Sequence, residues 1–256
     1  MREASSFNRR TLLRGSALLG ALALSDHAIA APAQRLPARG NFVIRNAHVM
    51  TMERDTGDIV NGDVHVRDGV IVAVGTKLNA PGAATINGAG MIVLPGLIET
   101  HWHMWNTLLR SMSGEKAETG YFRTTAVLGQ KCEPGDMYQG TRLAAAEAIN
   151  SGITFVHDWC HNIRGFDYAE ADLRALRETG VRARFSYGGA QGMSNTAGIN
   201  LADLERLNRD WTNYSNDGLI TLGLAWRGMG GNNPATAIPP EIYKREIEAA
   251  RKLGLP

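Results

Sequence analysis

The amino-acid sequence predicts an α/β protein: the first four βα units of a (β/α)8 TIM barrel, preceded by an incomplete small β-domain. Two observations carry this. Short apolar runs separated by turn dipeptides fill residues 41–95, and from about residue 96 the pattern becomes strand followed by helix, four times over.

In the β-domain the strand-like runs are residues 42–47, 63–67, 70–74, 85–86 and 91–94. Thr56-Gly57, Asn61-Gly62, Asp68-Gly69, Pro81-Gly82 and Asn87-Gly88 punctuate them and supply residues that tolerate the positive φ of tight connections. The βα section then offers strands at 97–103, 153–158, 183–187 and 219–225, and helices at about 136–150, 169–178, 201–211 and 240–253. Gly152 and Gly180 follow helix ends, and Pro239-Pro240 opens the last helix. A doubly wound open sheet is the alternative; the long first strand–helix link, without a G-x-G-x-x-G loop, disfavours it. The chain reaches Pro256 where a fifth strand is expected, so the barrel is expected to be truncated.

Composition narrows the function. With 44% hydrophobic and 20% charged residues, the chain can bury a core, which excludes intrinsic disorder. The net charge of +2 comes from the first thirty residues, where Arg2, Arg9, Arg10 and Arg14 face only Glu3 and Asp26; the remainder is balanced at 23 basic and 23 acidic residues. Nothing in that balance attracts nucleic acid or an anionic membrane. Cys132 and Cys160 allow one disulfide at most and are read as two separate, partly buried thiols.

Residues 1–30 carry a targeting pattern. Arg9-Arg10 precedes a short apolar run at 15–24, and Ala28-Ile29-Ala30 is a small-x-small cleavage site. The run is about half the ~20 residues that span a bilayer. We read it as a twin-arginine signal peptide, followed by a linker at 31–40, with a periplasmic or secreted mature protein that has no membrane contact after signal removal.

The chemistry concentrates in His101-Trp102-His103. In a strand alternate side chains share a face, so the two imidazoles point the same way and Trp102 the other, at the C-terminal strand end where barrel enzymes keep their sites. Two such imidazoles can hold one metal ion; a bare H-x-H is weak evidence on its own.

Its context is specific. Residues 42–47, Asn61-Gly62-Asp63, residues 68–75 and residues 90–96, then Leu108-Leu109-Arg110, residues 142–147, residues 151–154 and Asp158, together resemble the amidohydrolase superfamily. The branch resembled contains the cytosine, guanine and S-adenosylhomocysteine deaminases and the triazine hydrolases. One departure is Glu99, where many members have Asp. The resemblance implies domains at 41–95 (N-terminal part of a composite β-domain) and 96–256 (first half of a metal-dependent hydrolase barrel). It implies one divalent ion, Zn(II) or Fe(II), with His101 and His103 as two ligands. A third His, a general acid/base Glu, a further His and an Asp would come from later strands that this chain does not contain. The implied reaction is metal-assisted hydrolysis of a non-peptide C–N bond in a cyclic small-molecule substrate, with this fragment inactive alone.

Around that centre, Asp158, Cys160 and His161 after the second strand, Tyr187 after the third and Arg227 after the fourth are expected at the mouth as substrate contacts, against the plainer reading of loop packing. Trp105, just past the ligands, could floor a flat heterocycle. His48 and His65 are expected to be solvated strand residues, His157 to point away from Asp158, and Arg110 to pair structurally. An inert metal-binding periplasmic protein and a hydrolase of a C–Cl bond are the competing functions; homo-oligomerisation is left open.

Overall fold

A computed structural model describes residues 40–227 and 237–256; the signal peptide and, apart from Gly40, the linker read from the sequence lie outside them. The chain forms two compact units that part between Leu94 and Pro95.

The first unit is one sheet. Strands β1 (Phe42–Val49), β2 (Ile59–Arg67), β3 (Val70–Gly75) and β4 (Ala84–Asn87) run in the order β3-β2-β1-β4, and β5 (Ile92–Val93) also pairs with β1. The β1–β2 and β2–β3 pairs are antiparallel, whereas β4 and β5 lie parallel to β1. Asp68-Gly69 joins β2 to β3 with φ of 52° and 80°, the two-residue hairpin turn that needs both signs positive. Asn61, also at positive φ, lies inside β2 at an irregularity of the β1–β2 register, so the strand expected to begin at residue 63 begins at Ile59. Asn87-Gly88 takes no positive φ; Gly88 serves a close approach, since a Cβ there would lie 2.9 Å from the Arg45 carbonyl oxygen.

Two polar residues are built into this unit. Asp63 is buried and accepts from Arg45 Nη1 at 2.9 Å and from the backbone N–H groups of Asn46 and Leu78 at 3.1 and 2.9 Å. His65, expected to be solvated, is buried, with Nε2 2.7 Å from Asn41 Oδ1: its side of β2 is covered, and the imidazole meets that burial with a hydrogen bond. His48 stays half exposed, 3.7 Å from Asp58.

The second unit is a four-stranded, all-parallel sheet in the order β6-β7-β8-β9, with β6 at Leu97–Trp102, β7 at Ile153–Cys160, β8 at Ala183–Gly188 and β9 at Ile220–Ala225. After β6 come a 3₁₀ segment, Met104–Leu109, and helices α1 (Tyr121–Gly129) and α2 (Pro134–Asn150). Helices α3 (Phe166–Thr179), α4 (Leu201–Arg209) and α5 (Pro240–Lys252) follow the next three strands. The sequence pattern missed α1: its Thr-rich run has middling helix propensity, and its Gly120 N-cap offers no side chain. Helix α2 has the opposite character, with Pro134 in its first turn and a reciprocal capping box between Glu133 and Asp136. No described helix is long and apolar enough to cross a membrane.

Parallel strands covered by helices bury one face in period two. Val156 and Cys160 of β7, Phe185 and Tyr187 of β8, and Ile220, Leu222 and Leu224 of β9 pack with Ala144, Ala145, Ala148, Leu173, Leu176, Leu204 and Leu207 from the helices. The opposite face carries the polar and imidazole residues, and the site is built there.

Candidate metal centre

The geometry begins at Gly96. A Cβ at this position would sit 2.1 Å from the Thr154 side chain, so only glycine lets the chain enter β6 tightly against β7. From there the pleat sends His101 out on the face opposite the helices, and β6 ends at Trp102, one residue earlier than expected. Glu99 Oε1 accepts the His101 backbone N–H at 3.0 Å. Nε2 of His101 and Nε2 of His103 converge to 3.3 Å. Two nitrogen ligands of one tetrahedral ion with ~2.0–2.1 Å bonds lie roughly 3.3–3.4 Å apart, so the pair has the separation a shared ion requires.

His103 is oriented from behind. Its Nδ1 lies 2.9 Å from the Trp159 carbonyl oxygen, which can only accept, so the ring proton sits on Nδ1 and the Nε2 lone pair faces His101. Trp159 also stacks on the His101 ring, with centroids 4.9 Å apart. Burial lowers the His103 pKa, and neighbouring His101 lowers it further, against the raising effect of the Trp159 carbonyl. His161 packs edge-on to His103 at 4.0 Å, and burial, then His103, bring its pKa down to about 4. His157, on the same face, has Nδ1 3.0 Å from the Thr100 carbonyl and Nε2 2.7 Å from Ser186 Oγ. Burial and then Arg184 lower its pKa as well. Neutral imidazoles are what a metal needs and what a buried, uncharged wall tolerates.

These residues open onto a cavity of about 1130 Å³ walled by Tyr121, Phe122, Trp159, His161, Gln191 and Trp226. Of the expected substrate contacts, His161 and Arg227 line it. Arg227 nevertheless donates through Nη1 to the Ser194 carbonyl at 3.0 Å and through Nη2 to the Ala197 carbonyl, so its guanidinium braces a loop. The others are elsewhere. Asp158 and Cys160 are fully buried on the helix side of β7, because strand alternation gives the site face to His157 and Trp159. Tyr187 is buried on the same helix side, its hydroxyl 3.3 Å from Asp203 Oδ2. Trp105 is no exposed floor: it is buried where Gly129 and Gly140 leave room for it, and its Nε1 donates to His161 Nδ1 at 3.3 Å. Tyr121, Phe122 and Gln191, missed in the sequence, sit on α1 and the loop after β8, where no spacing rule points.

Asp158 has a separate role. It forms a buried cluster with Cys160 and Asp172 of α3. Burial raises the Asp172 pKa, opposed by Asp158, by Thr141 Oγ1, which donates to Asp172 Oδ2 at 2.7 Å, and by Cys160 Sγ, 3.5 Å from the same oxygen. Burial, then the charge of Asp172, pushes Asp158 well above the usual carboxylate range, so Asp158 holds the proton. A carboxyl protonated when folded and ionised when unfolded makes stability fall as pH rises above the ordinary carboxylate value of about 4. Asp158→Asn removes that burden. Its melting temperature relative to the parent is expected to climb as pH rises above about 4; a difference that stays flat would show Asp158 ionised in the fold.

The chain has relatives of known family. The model of the amidohydrolase family matches residues 92–256. A 5'-deoxyadenosine deaminase of Methanosarcina mazei is 30% identical over 220 residues, covering 84% of this chain and 47% of that protein. A 5-methylthioadenosine/S-adenosylhomocysteine deaminase of Desulforamulus reducens is 32% identical over 226 residues, with 84% and 48% covered. In structure, an adenosine deaminase from Xanthomonas campestris with bound zinc superposes with a TM-score of 0.63 at 22% identity, over 86% of this chain and 49% of that one. The chain thus spans about half the length of the curated relatives it matches. The family match covers well over half of its residues, and the chain belongs to the amidohydrolase family.

Proposed function

We propose that this chain supplies the first two metal ligands and the aromatic wall of a metal-dependent hydrolase that deaminates a cyclic substrate of the aminopurine nucleoside class. The observation that carries the reading is the 3.3 Å approach of His101 Nε2 to His103 Nε2, with His103 held by the Trp159 carbonyl. The names of the deaminase relatives support the substrate class. We assign residues 41–95 to a composite β-domain and residues 96–256 to the first four βα units of a (β/α)8 barrel.

His101 and His103 would hold one divalent ion, Zn(II) or Fe(II), whose chemistry is to acidify a water for attack on the carbon bearing the amine. The chain's own residues prepare the site. Trp159 packs on His101 and fixes its ring plane, while Tyr121, Phe122 and Trp226 offer flat apolar surface on which a heterocycle can stack with water excluded. The lowered pKa values of His103 and His161 keep positive charge that would repel the ion off those two rings.

The test compares two proteins: this chain, and one continued through a full-length amidohydrolase barrel. Assayed by the absorbance change on deamination of adenosine-type nucleosides, the longer protein should turn over with about one equivalent of metal and the 256-residue chain should show none. Turnover of C–Cl triazines but of no amine would redirect the reading to another leaving group. We further propose twin-arginine export. Residues 1–31 fused to a reporter should carry it across the membrane, and Arg9→Lys with Arg10→Lys should stop it; unchanged export of the double variant refutes this.

A further inference from the structure

We propose that Trp105 and His161 are positioning residues that lock His103 in the one tautomer able to present Nε2 to a metal ion, an inference that rests on the metal reading above. The buried indole N–H of Trp105 can only donate, and it meets His161 Nδ1 at 3.3 Å. The Trp159 carbonyl lies equally near that nitrogen but already accepts from His103 Nδ1 at 2.9 Å, whereas the indole N–H has no other acceptor among the described residues, so Nδ1 is left bare and a neutral His161 carries its proton on Nε2.

The consequence falls on the Trp159 carbonyl. It lies 2.9 Å from His103 Nδ1 and 3.3 Å from His161 Nδ1. With no proton on His161 Nδ1, the carbonyl belongs to His103 alone. Without the indole donor, His161 could place its proton on Nδ1 and take a share of that carbonyl. His103 could then carry its own proton on Nε2, 3.3 Å from His101 Nε2, where it blocks an ion. Two rings only 4.0 Å apart thus hold opposite tautomers. The same argument takes His161 out of the ligand set, because its one bare nitrogen is already filled.

Long-range ¹H–¹⁵N spectra of the histidine rings, recorded on this chain with and without Zn(II), test the inference. Without metal, His161 should show a bare Nδ1 and a protonated Nε2, and His103 the reverse. Zn(II) should shift His101 and His103 Nε2 and leave the His161 pattern alone. Trp105→Phe removes the donor and keeps an aromatic ring; in it His103 should populate both tautomers and Zn(II) affinity should fall several-fold. His161→Gln retains an acceptor and a donor and should keep His103 as in the parent. A protonated His161 Nδ1, a Zn(II) shift at His161, or an unchanged His103 in Trp105→Phe overturns the proposal. Should that variant fail to fold, benzothienylalanine at position 105, with sulfur in place of N–H, makes the same comparison. If the tautomers are as stated and Zn(II) moves no ring, the metal reading alone fails.

Discussion

His101→Ala or His103→Ala, made in this chain continued through a whole amidohydrolase barrel, is expected to leave the protein without bound metal and without turnover. Each substitution deletes one of the two proposed ligand atoms, set 3.3 Å apart. Outer partners of a metal site are worth ~10–100-fold in affinity, and a directly bound imidazole should exceed that range. Metal content after dialysis, read by atomic emission, measures the loss. His48→Ala is the control, because that ring is half exposed in the other compact unit. His65→Ala should also spare the metal, yet it should lower the stability of its own unit, since the ring is buried against Asn41. Retention of a full equivalent of metal by either site variant would remove the two histidines from the ligand set.

Gly140→Ala is expected to destabilise the second unit by on the order of 3 kcal/mol, the upper end of the common range for overpacking, because the obstacle is backbone. Helix α2 crosses the 3₁₀ segment there so closely that a Cβ would lie 2.3 Å from the Trp105 carbonyl oxygen. Alanine's better helix propensity returns only ~1 kcal/mol. Gly135, in the first turn of the same helix, has nothing within 4 Å of where its Cβ would be. Gly135→Ala should therefore be neutral or stabilising by a few tenths of a kcal/mol. Urea denaturation of the two variants reads out the opposite signs; equal midpoints would show that the crossing relaxes freely.

Much of this was legible in the sequence, for reasons that can be named. The alternation that puts His101 and His103 on one face is a property of any strand, and the Gly and Pro punctuation placed α2 to α5 within a few residues. The same alternation, carried along β7, would have sent Asp158 and Cys160 to the helix side and His157 and Trp159 to the site. Ending the strand at 158, when β7 runs on to Cys160, and placing these side chains at the mouth without following the alternation, concealed it. Tyr121 and Gln191 could not be found that way. Their place depends on how α1 and the loop after β8 come together over a long sequence separation, 66 residues between Gln191 and its partner Thr125, and no local period encodes that.

The strand order of the second unit bears on how the chain is made. Each of β6 to β9 pairs with the strand next to it in sequence, so the sheet can lengthen at one edge while the chain emerges from the ribosome, and no earlier pair has to reopen to admit a later strand. Synthesis and assembly can then proceed in the same direction and at the same pace.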